Sequence, residues 1–187
     1  MRDELELKAV VTDPEGLRAR LRGAGAVEHF RGRMSDRRYD RADELALRNE
    51  VLRVRSYHEA NGRVASILGW KGPVRLSPEG YKQRAEVELP VNGDSATPHT
   101  LLAALGYDVV QTIDRDVDVY HLGGATVRLE RYPRMDALVE VEGAPAAIEQ
   151  AIAATGIPRA EFTADPLAEF VRRFEERRGV TARLALT

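Results

Sequence analysis

Hydrophobic and charged positions alternate along much of the chain. Leu5, Leu7 and Val11 interleave with Glu4, Glu6 and Lys8, a period of two that predicts a strand over about residues 3–11 with one apolar and one charged face. Asp13-Pro14 supplies an N-cap followed by a first-turn proline, and Leu17, Leu21, Gly23 and Gly25 predict a helix over 14–24 that stops at glycine. An extended stretch follows over 27–39, then a helical turn over 43–48. Strands are predicted over 51–57, 63–71 and 81–89, the first two joined by the hairpin dipeptide Asn61-Gly62. A helix capped at Thr97-Pro98 runs to near Gly106, and a strand over 108–120 follows. Gly123-Gly124 and Pro133 to Asp136 turn the chain into strands over 126–132 and 138–142. Helices over 144–154 and 166–178 close the sequence. About eight hairpin-linked strands, with helices at the start, middle and end, predict an α+β fold on an antiparallel sheet. No repeat or linker divides it, so residues 1–187 read as one domain.

Taken singly, each strand fits a sheet with one wet face. Summed over the strands, the charged faces agree with one another. Glu4, Glu6 and Lys8 share a face, as do Arg53 and Arg55, Arg84, Glu86 and Glu88, Arg128 and Glu130, and Glu140 and Glu142. Lys71 and Arg115 join them, while Leu5, Leu7, Leu52, Val54, Val87, Leu89, Val127, Leu129, Val139 and Val141 lie opposite. A sheet with helices over its apolar face and its charges turned inward closes into a barrel with a polar lumen. Carboxylates two residues apart on a strand are about 7 Å apart, and each like pair costs roughly 2 kcal/mol at an effective dielectric near 20. Glu4/Glu6, Glu86/Glu88 and Glu140/Glu142 therefore call for arginine or divalent-cation partners. Oxygen-only ligation favours Mg²⁺ or Mn²⁺, and arginine forks match phosphate oxygens.

Composition narrows the partners. The 187 residues include no cysteine, which excludes disulfides, thiolate metal sites and thiol nucleophiles. A net charge of -2 gives no global field for nucleic acid or an anionic membrane. No apolar run suits a signal peptide or a membrane span, so a cytoplasmic protein is expected. Lysine is scarce beside arginine: Lys8, Lys71 and Lys82 are all there are. Lys8 and Lys71 thus stand out as ammonium groups that a guanidinium does not replace.

The order of these motifs resembles that of the CYTH superfamily, the triphosphate tunnel metalloenzymes, which include class IV adenylyl cyclases, thiamine triphosphatases and inorganic tripolyphosphatases. Glu4-Leu5-Glu6-Leu7-Lys8 is similar to its N-terminal ExExK motif. Tyr39-Asp40 with Leu45, Leu52-Arg53-Val54-Arg55, Trp70-Lys71-Gly72-Pro73, Arg84-Ala85-Glu86-Val87-Glu88, Val127-Arg128-Leu129-Glu130 and Val139-Glu140-Val141-Glu142 follow in the family's order. The loop spacing is nearest the bacterial, cyclase-like branch. The resemblance implies an eight-stranded antiparallel β-barrel with helices packed outside, those over about 144–179 included. It implies Mg²⁺ or Mn²⁺ on Glu4, Glu6, Glu140 and Glu142; same-face charge adds Glu86, Glu88 and Glu130 to these candidates. Phosphate contacts fall to Lys8, Arg53, Arg55, Lys71 and Arg84, with Arg115 and Arg128 added by their place on the same face.

The thiamine triphosphatase branch further implies that Tyr39 and Lys71 activate water together. A lysine among other cations loses its proton more readily, which suits Lys71 to that role. There are departures from the pattern: Glu130 replaces a usual Asp, Val117 a usual basic residue, Asp136 a glycine and Leu138 an aromatic residue. The expected function is metal-dependent hydrolysis of a linear triphosphate, whether organic, nucleoside or inorganic. The alternatives are an adenylyl cyclase releasing cyclic AMP and pyrophosphate, and a non-catalytic polyphosphate- or nucleotide-binding module. The expected partner is a triphosphate-bearing small molecule, with no nucleic acid or membrane, in a possible homodimer.

Overall fold

A computed structural model describes residues 2–91 and 96–186. The strands are β1 (Arg2–Val11), β2 (Val27–Asp40), β3 (Val51–His58), β4 (Val64–Lys71), β5 (Arg75–Leu76), β6 (Lys82–Val91), β7 (Asp108–Leu122), β8 (Ala125–Arg131) and β9 (Ala137–Glu142). The helices are α1 (Pro14–Gly23), α2 (Glu44–Leu47), α3 (Thr97–Ala104), α4 (Pro145–Thr155) and α5 (Leu167–Arg178), with a 3-10 turn at Arg159–Glu161. Asp13 caps α1 as expected, its carboxylate accepting from the Gly16 N–H at 2.9 Å. The strand β5 is the one addition to the predicted set, and two residues are too few for a periodicity to reveal.

Eight strands close into a ring. They pair antiparallel in the order β1-β9-β8-β7-β2-β3-β4-β6, and β6 returns to β1 with Glu4 opposite Arg84 and Glu6 opposite Lys82. The short β5 lies along β6. Alternation then sends one face of every strand outward. Leu7, Ala9, Val127, Leu129, Val139 and Val141 form a buried core with Leu17 and Leu21 of α1 and with Ile148, Ala151 and Ile152 of α4. Each leucine, isoleucine or valine buried in this way contributes about 1.5–3 kcal/mol, which sets the register and with it the direction of the charged face. A smaller outer cluster of Tyr39, Val54 and Leu102 holds α3.

Past Glu6, β1 runs beyond its pairing with β6, and the backbone of Thr163 takes the vacated edge. The Lys8 N–H donates to the Thr163 carbonyl at 2.9 Å and the Thr163 N–H returns the bond to Lys8 at 2.8 Å. That stitch delivers α5 to one mouth of the ring. There the following tail is tied down by the Asp114 N–H to the Leu184 carbonyl, at 2.7 Å.

Candidate active site

The inward faces of the strands converge on a cavity of about 410 Å³, within the range of about 300–1,000 Å³ usual for small-molecule sites. Its wall carries Glu4, Glu6 and Lys8 from β1, Asp36 and Arg38 from β2, Arg53 and Arg55 from β3, and Lys71 from β4. Lys82 and Arg84 from β6, Arg115 from β7, Arg128 and Glu130 from β8, Tyr132 and Glu140 add to these, with the amides of Asn49 and Gln111 completing the polar part. Among the described residues, nine cations on this wall face five carboxylates, or seven with the adjoining Glu86 and Glu142. Glu86 and Glu142 are also buried, beside this wall.

The charges are wired pairwise. Arg55 grips Asp36 with two bonds of 2.7 and 3.0 Å. Arg115 bridges Asp36 at 3.1 Å and Glu130 at 2.9 Å, and the Tyr132 hydroxyl donates to the second Glu130 oxygen at 2.5 Å. Arg128 holds Glu140 at 2.5 Å and Glu142 at 2.9 Å. Lys8 sits between Glu6 at 2.5 Å and Glu140 at 2.7 Å, and Lys82 reaches Glu6 at 2.5 Å. Two guanidinium groups have neutral partners instead. Arg84 donates to the backbone carbonyls of Gly72 and Asn49 at 2.6 and 2.8 Å, and Arg38 donates to the Gln111 side chain at 2.8 Å.

These surroundings shift the titrations in opposite directions. Burial raises the Glu6 carboxyl, but Lys8 and Lys82 outweigh it and hold the group down to about 2. Asp36 is held well below its ordinary value by Arg55 and Arg115 against the effect of burial. Burial pushes Glu4 up, with Glu6, Glu142 and Glu140 adding to the rise and Lys71 opposing it. Burial and the nearby Arg53, Arg115 and Arg55 bring Arg38 down to about 10. Lys82 is lowered by burial and by Lys8. Lys8, Arg55, Arg115 and Arg128 move up instead, held by their carboxylates against the effect of burial, so the crowding that favours an anion is felt at Arg38 and Lys82.

Two observations bear on what the lumen accepts. Among the described residues, buried N–H groups at Arg38 Nε, Arg115 Nη1 and Arg128 Nε meet no hydrogen-bond partner. Such donors are costly to bury unmatched and fit the oxygens of a multiply charged anion. Carboxylate oxygens of Glu4, Glu86 and Glu142 lie within 4.8 Å of one another, an oxygen-only donor set that suits a hard divalent cation.

Most sequence-predicted residues meet in this lumen: Glu4, Glu6, Lys8, Arg53, Arg55, Lys71, Arg84, Glu86, Arg115, Arg128, Glu130, Glu140 and Glu142. Glu88 does not share their burial; its side chain is 31% exposed at the rim, 3.4 Å from Arg53. Tyr39 lies on the other side of the sheet. As an odd-numbered neighbour of inward-facing Arg38 it points outward, packs with Val54 and Leu102, and bonds to His99. The geometry therefore separates Tyr39 from Lys71, and the expected pair is not formed. Nor is Lys71 flanked chiefly by cations: it contacts Glu4, and Glu86 at 3.2 Å.

Four lumen residues were not singled out by the sequence reading: Asp36, Arg38, Lys82 and Tyr132. All have the parity of inward neighbours, Asp36 and Arg38 with Met34, Lys82 with Arg84, and Tyr132 with Glu130. Val117 belongs to a dry plug with Met34 and Val119, against which Phe30 and Tyr57 pack.

Comparison with known proteins agrees with this geometry. A Pyrococcus horikoshii protein, PH1819, superposes with a TM-score of 0.73 at 22% identity, over 91% of this chain and 98% of its own. A Vibrio parahaemolyticus protein described as a candidate adenylate cyclase matches with a TM-score of 0.73 at 15% identity, over 91% and 98% of the two chains. A Hippeastrum protein described as having a dominant triphosphatase activity matches with a TM-score of 0.65 at 17% identity, over the whole of both chains. At these identities the likeness shows the fold. No curated protein matches the sequence. The CYTH domain model matches residues 2–155, and the chain belongs to the CYTH domain family.

Proposed function

We propose that the lumen binds a linear triphosphate and hydrolyses it with a divalent cation. The observation that carries this reading is the set of cations not matched by carboxylates, nine against seven among the described residues once Glu86 and Glu142 are counted, combined with the neutral partners of Arg38 and Arg84. A wall built for its own neutrality would have matched each guanidinium with a carboxylate. A polyphosphate brings the missing negative charge and the oxygens that Arg38, Arg115 and Arg128 lack.

The chemistry follows from the wiring. Glu4, Glu86 and Glu142, with Glu6 and Glu140 nearby, would hold the metal, and Mg²⁺ or Mn²⁺ suits their oxygen donors. When bound, such an ion neutralises phosphate oxygens and the charge that builds on the leaving group. Arg53, Arg55, Arg84, Arg115, Arg128 and Lys8 orient the phosphate chain. Lys71 links the acidic cluster to the cationic wall and is assigned to the transferred phosphoryl group. Water's oxygen bonds to the terminal phosphorus as the bond to the bridging oxygen breaks. The diphosphate end takes the electron pair, and the water protons end on orthophosphate and in solvent.

Hydrolysis by the similar Hippeastrum protein favours this reading over cyclisation. Glu6→Gln and Glu140→Gln provide the test. Each should reduce metal-dependent turnover of a triphosphate by about 100-fold or more and shrink the rise in melting temperature on adding Mn²⁺. Unchanged metal stabilisation and turnover in both variants would remove these residues from the site.

A further inference from the structure

Arg115 is clamped from three sides. Its Nε donates to Glu130 at 2.9 Å, its Nη2 donates to Asp36 at 3.1 Å, and its central carbon lies over the Tyr132 ring, 5.9 Å from the centroid. The remaining nitrogen, Nη1, is buried and meets no partner among the described residues. Two carboxylates thus fix the plane of the guanidinium and leave one corner of it for a ligand of the cavity. Glu130 has no such freedom. One of its oxygens accepts from Arg115 and the other from the Tyr132 hydroxyl at 2.5 Å, so each is already matched. Parity puts Glu130 on the inward face with the other acids. Among the described residues, however, the carboxylate oxygens that gather within 4.8 Å of one another are those of Glu4, Glu86 and Glu142.

Tyr132 is itself held in place from outside the ring. The pairing of β8 with β7 ends at Arg131 and Asp116, and Tyr132 is the first residue of the turn beyond it. That turn is pinned by the end of the chain. The backbones of Arg134 and Arg183 exchange bonds of 3.0 and 2.8 Å, Arg134 Nε donates to the Thr181 carbonyl at 2.9 Å, and Arg177 of α5 pairs with Asp136. Arg177, Thr181 and Arg183 all lie beyond the residues 2–155 that match the family model. A contact made by the tail therefore reaches Arg115 through Tyr132 and Glu130.

We infer that Tyr132 and Glu130 are positioning residues for Arg115, which they hold with Nη1 presented to a phosphate oxygen, and that Glu130 is not a ligand of the divalent cation. This rests on the proposed triphosphate site and assigns two further roles within it. The hydroxyl is the working part of Tyr132. Without it, the second Glu130 oxygen is a buried anion with no donor, which is costly and stands its charge against an arriving phosphate. A carboxylate free to turn toward another donor also loosens its hold on Arg115 Nε, and the guanidinium loses the plane that aims Nη1. Phenylalanine in place of Tyr132 keeps the ring beside Arg115 and removes only that hydrogen bond.

The experiment measures, on the intact chain and its variants, the Kd of tripolyphosphate without metal, the Kd of Mn²⁺ without phosphate, and kcat and KM for tripolyphosphate with Mg²⁺. Tyr132→Phe should raise the tripolyphosphate Kd and KM about tenfold, the scale of one charge-assisted hydrogen bond, with kcat within about twofold. Added to Arg115→Lys, it should raise them no further than Arg115→Lys alone, because the hydroxyl acts through that guanidinium. Glu130→Gln should leave the Mn²⁺ Kd within about twofold, whereas Glu142→Gln should weaken it about tenfold or more. If Tyr132→Phe fails to fold, Glu130→Asp, whose shorter arm cannot span both partners, should raise the same tripolyphosphate constants. A Kd and KM that the folded variant leaves unchanged overturn the positioning roles, whatever the melting temperature does. A Mn²⁺ loss in Glu130→Gln equal to that in Glu142→Gln makes Glu130 a ligand and overturns its assignment. Failure of tripolyphosphate to bind the intact chain removes the triphosphate site and the positioning roles together, and the Mn²⁺ comparison still decides Glu130.

Discussion

Two regions of the lumen face each other across a single step of the same strands. On β2, β3 and β7 the inward positions Asp36, Arg55 and Arg115 carry charge and are wired to one another. The next inward positions, Met34, Tyr57 and Val117, belong to a dry apolar cluster. Alternation thus decides which side chains look inward, and residue identity decides where the site stops. In this protein the polar lumen ends within one repeat of the strand, about 7 Å.

The sharpest way to break that boundary is to put a charge beyond it. Val117→Arg places a guanidinium in a packed apolar cluster, and its cross-strand neighbour Glu130 is already engaged by Arg115 and Tyr132. The change should destabilise the fold by about 5 kcal/mol, from overpacking and from a buried charge with no free partner. Denaturant unfolding checks it, and a loss below about 1 kcal/mol would mean that the boundary is soft.

On the charged side, Asp36→Asn should cost about 3 kcal/mol, because Arg55 and Arg115 would then face each other without their shared anion. The same residue has a pH consequence. Its folded-state titration lies well below the ordinary value, so its contribution is present above about pH 4 and is lost as the pH falls through the acid range. Glu6, held down to about 2, adds to the same acid-side loss. Melting temperatures taken between pH 6 and about pH 3 should fall, and should fall less steeply in Asp36→Asn. An unaltered slope would show that Asp36 is not held by its arginines.

Smaller effects are expected outside the lumen. Tyr39→Phe removes the bond to His99 and should cost about 1 kcal/mol, with kcat/KM changing by less than about twofold. A loss of turnover with stability intact would bring Tyr39 back into the chemistry. Glu88→Gln, at the exposed rim beside Arg53, should change stability by less than about 1 kcal/mol, as denaturant midpoints would show.

The alternation itself was the legible part. Runs such as Glu4-Leu5-Glu6-Leu7-Lys8 and Val139-Glu140-Val141-Glu142 announce both a strand and which of its faces holds the charge, and the ring follows from their sum. In β2 the charges of the segment from Ser35 to Asp40 fall on both faces, so the inward pair Asp36 and Arg38 does not stand out against outward Arg37. Tyr39 was expected in the lumen from motif resemblance, but its parity with Arg37 turns it toward α3. The part that α5 and the tail lend to the cavity lining was illegible for a different reason: Leu167 reaches it through the tertiary pairing of Thr163 with Lys8 and Leu184 through its bond to Asp114, and no local pattern encodes those contacts.

The central claim is that a triphosphate enters this lumen and is cleaved there by water. Phosphorus NMR of the purified protein with ATP and Mg²⁺ or Mn²⁺ reads it directly. The account predicts a growing orthophosphate resonance with matching diphosphate signals, suppressed in Glu6→Gln. Growth of pyrophosphate together with the single resonance of a cyclic nucleotide would contradict it and identify the reaction as cyclisation.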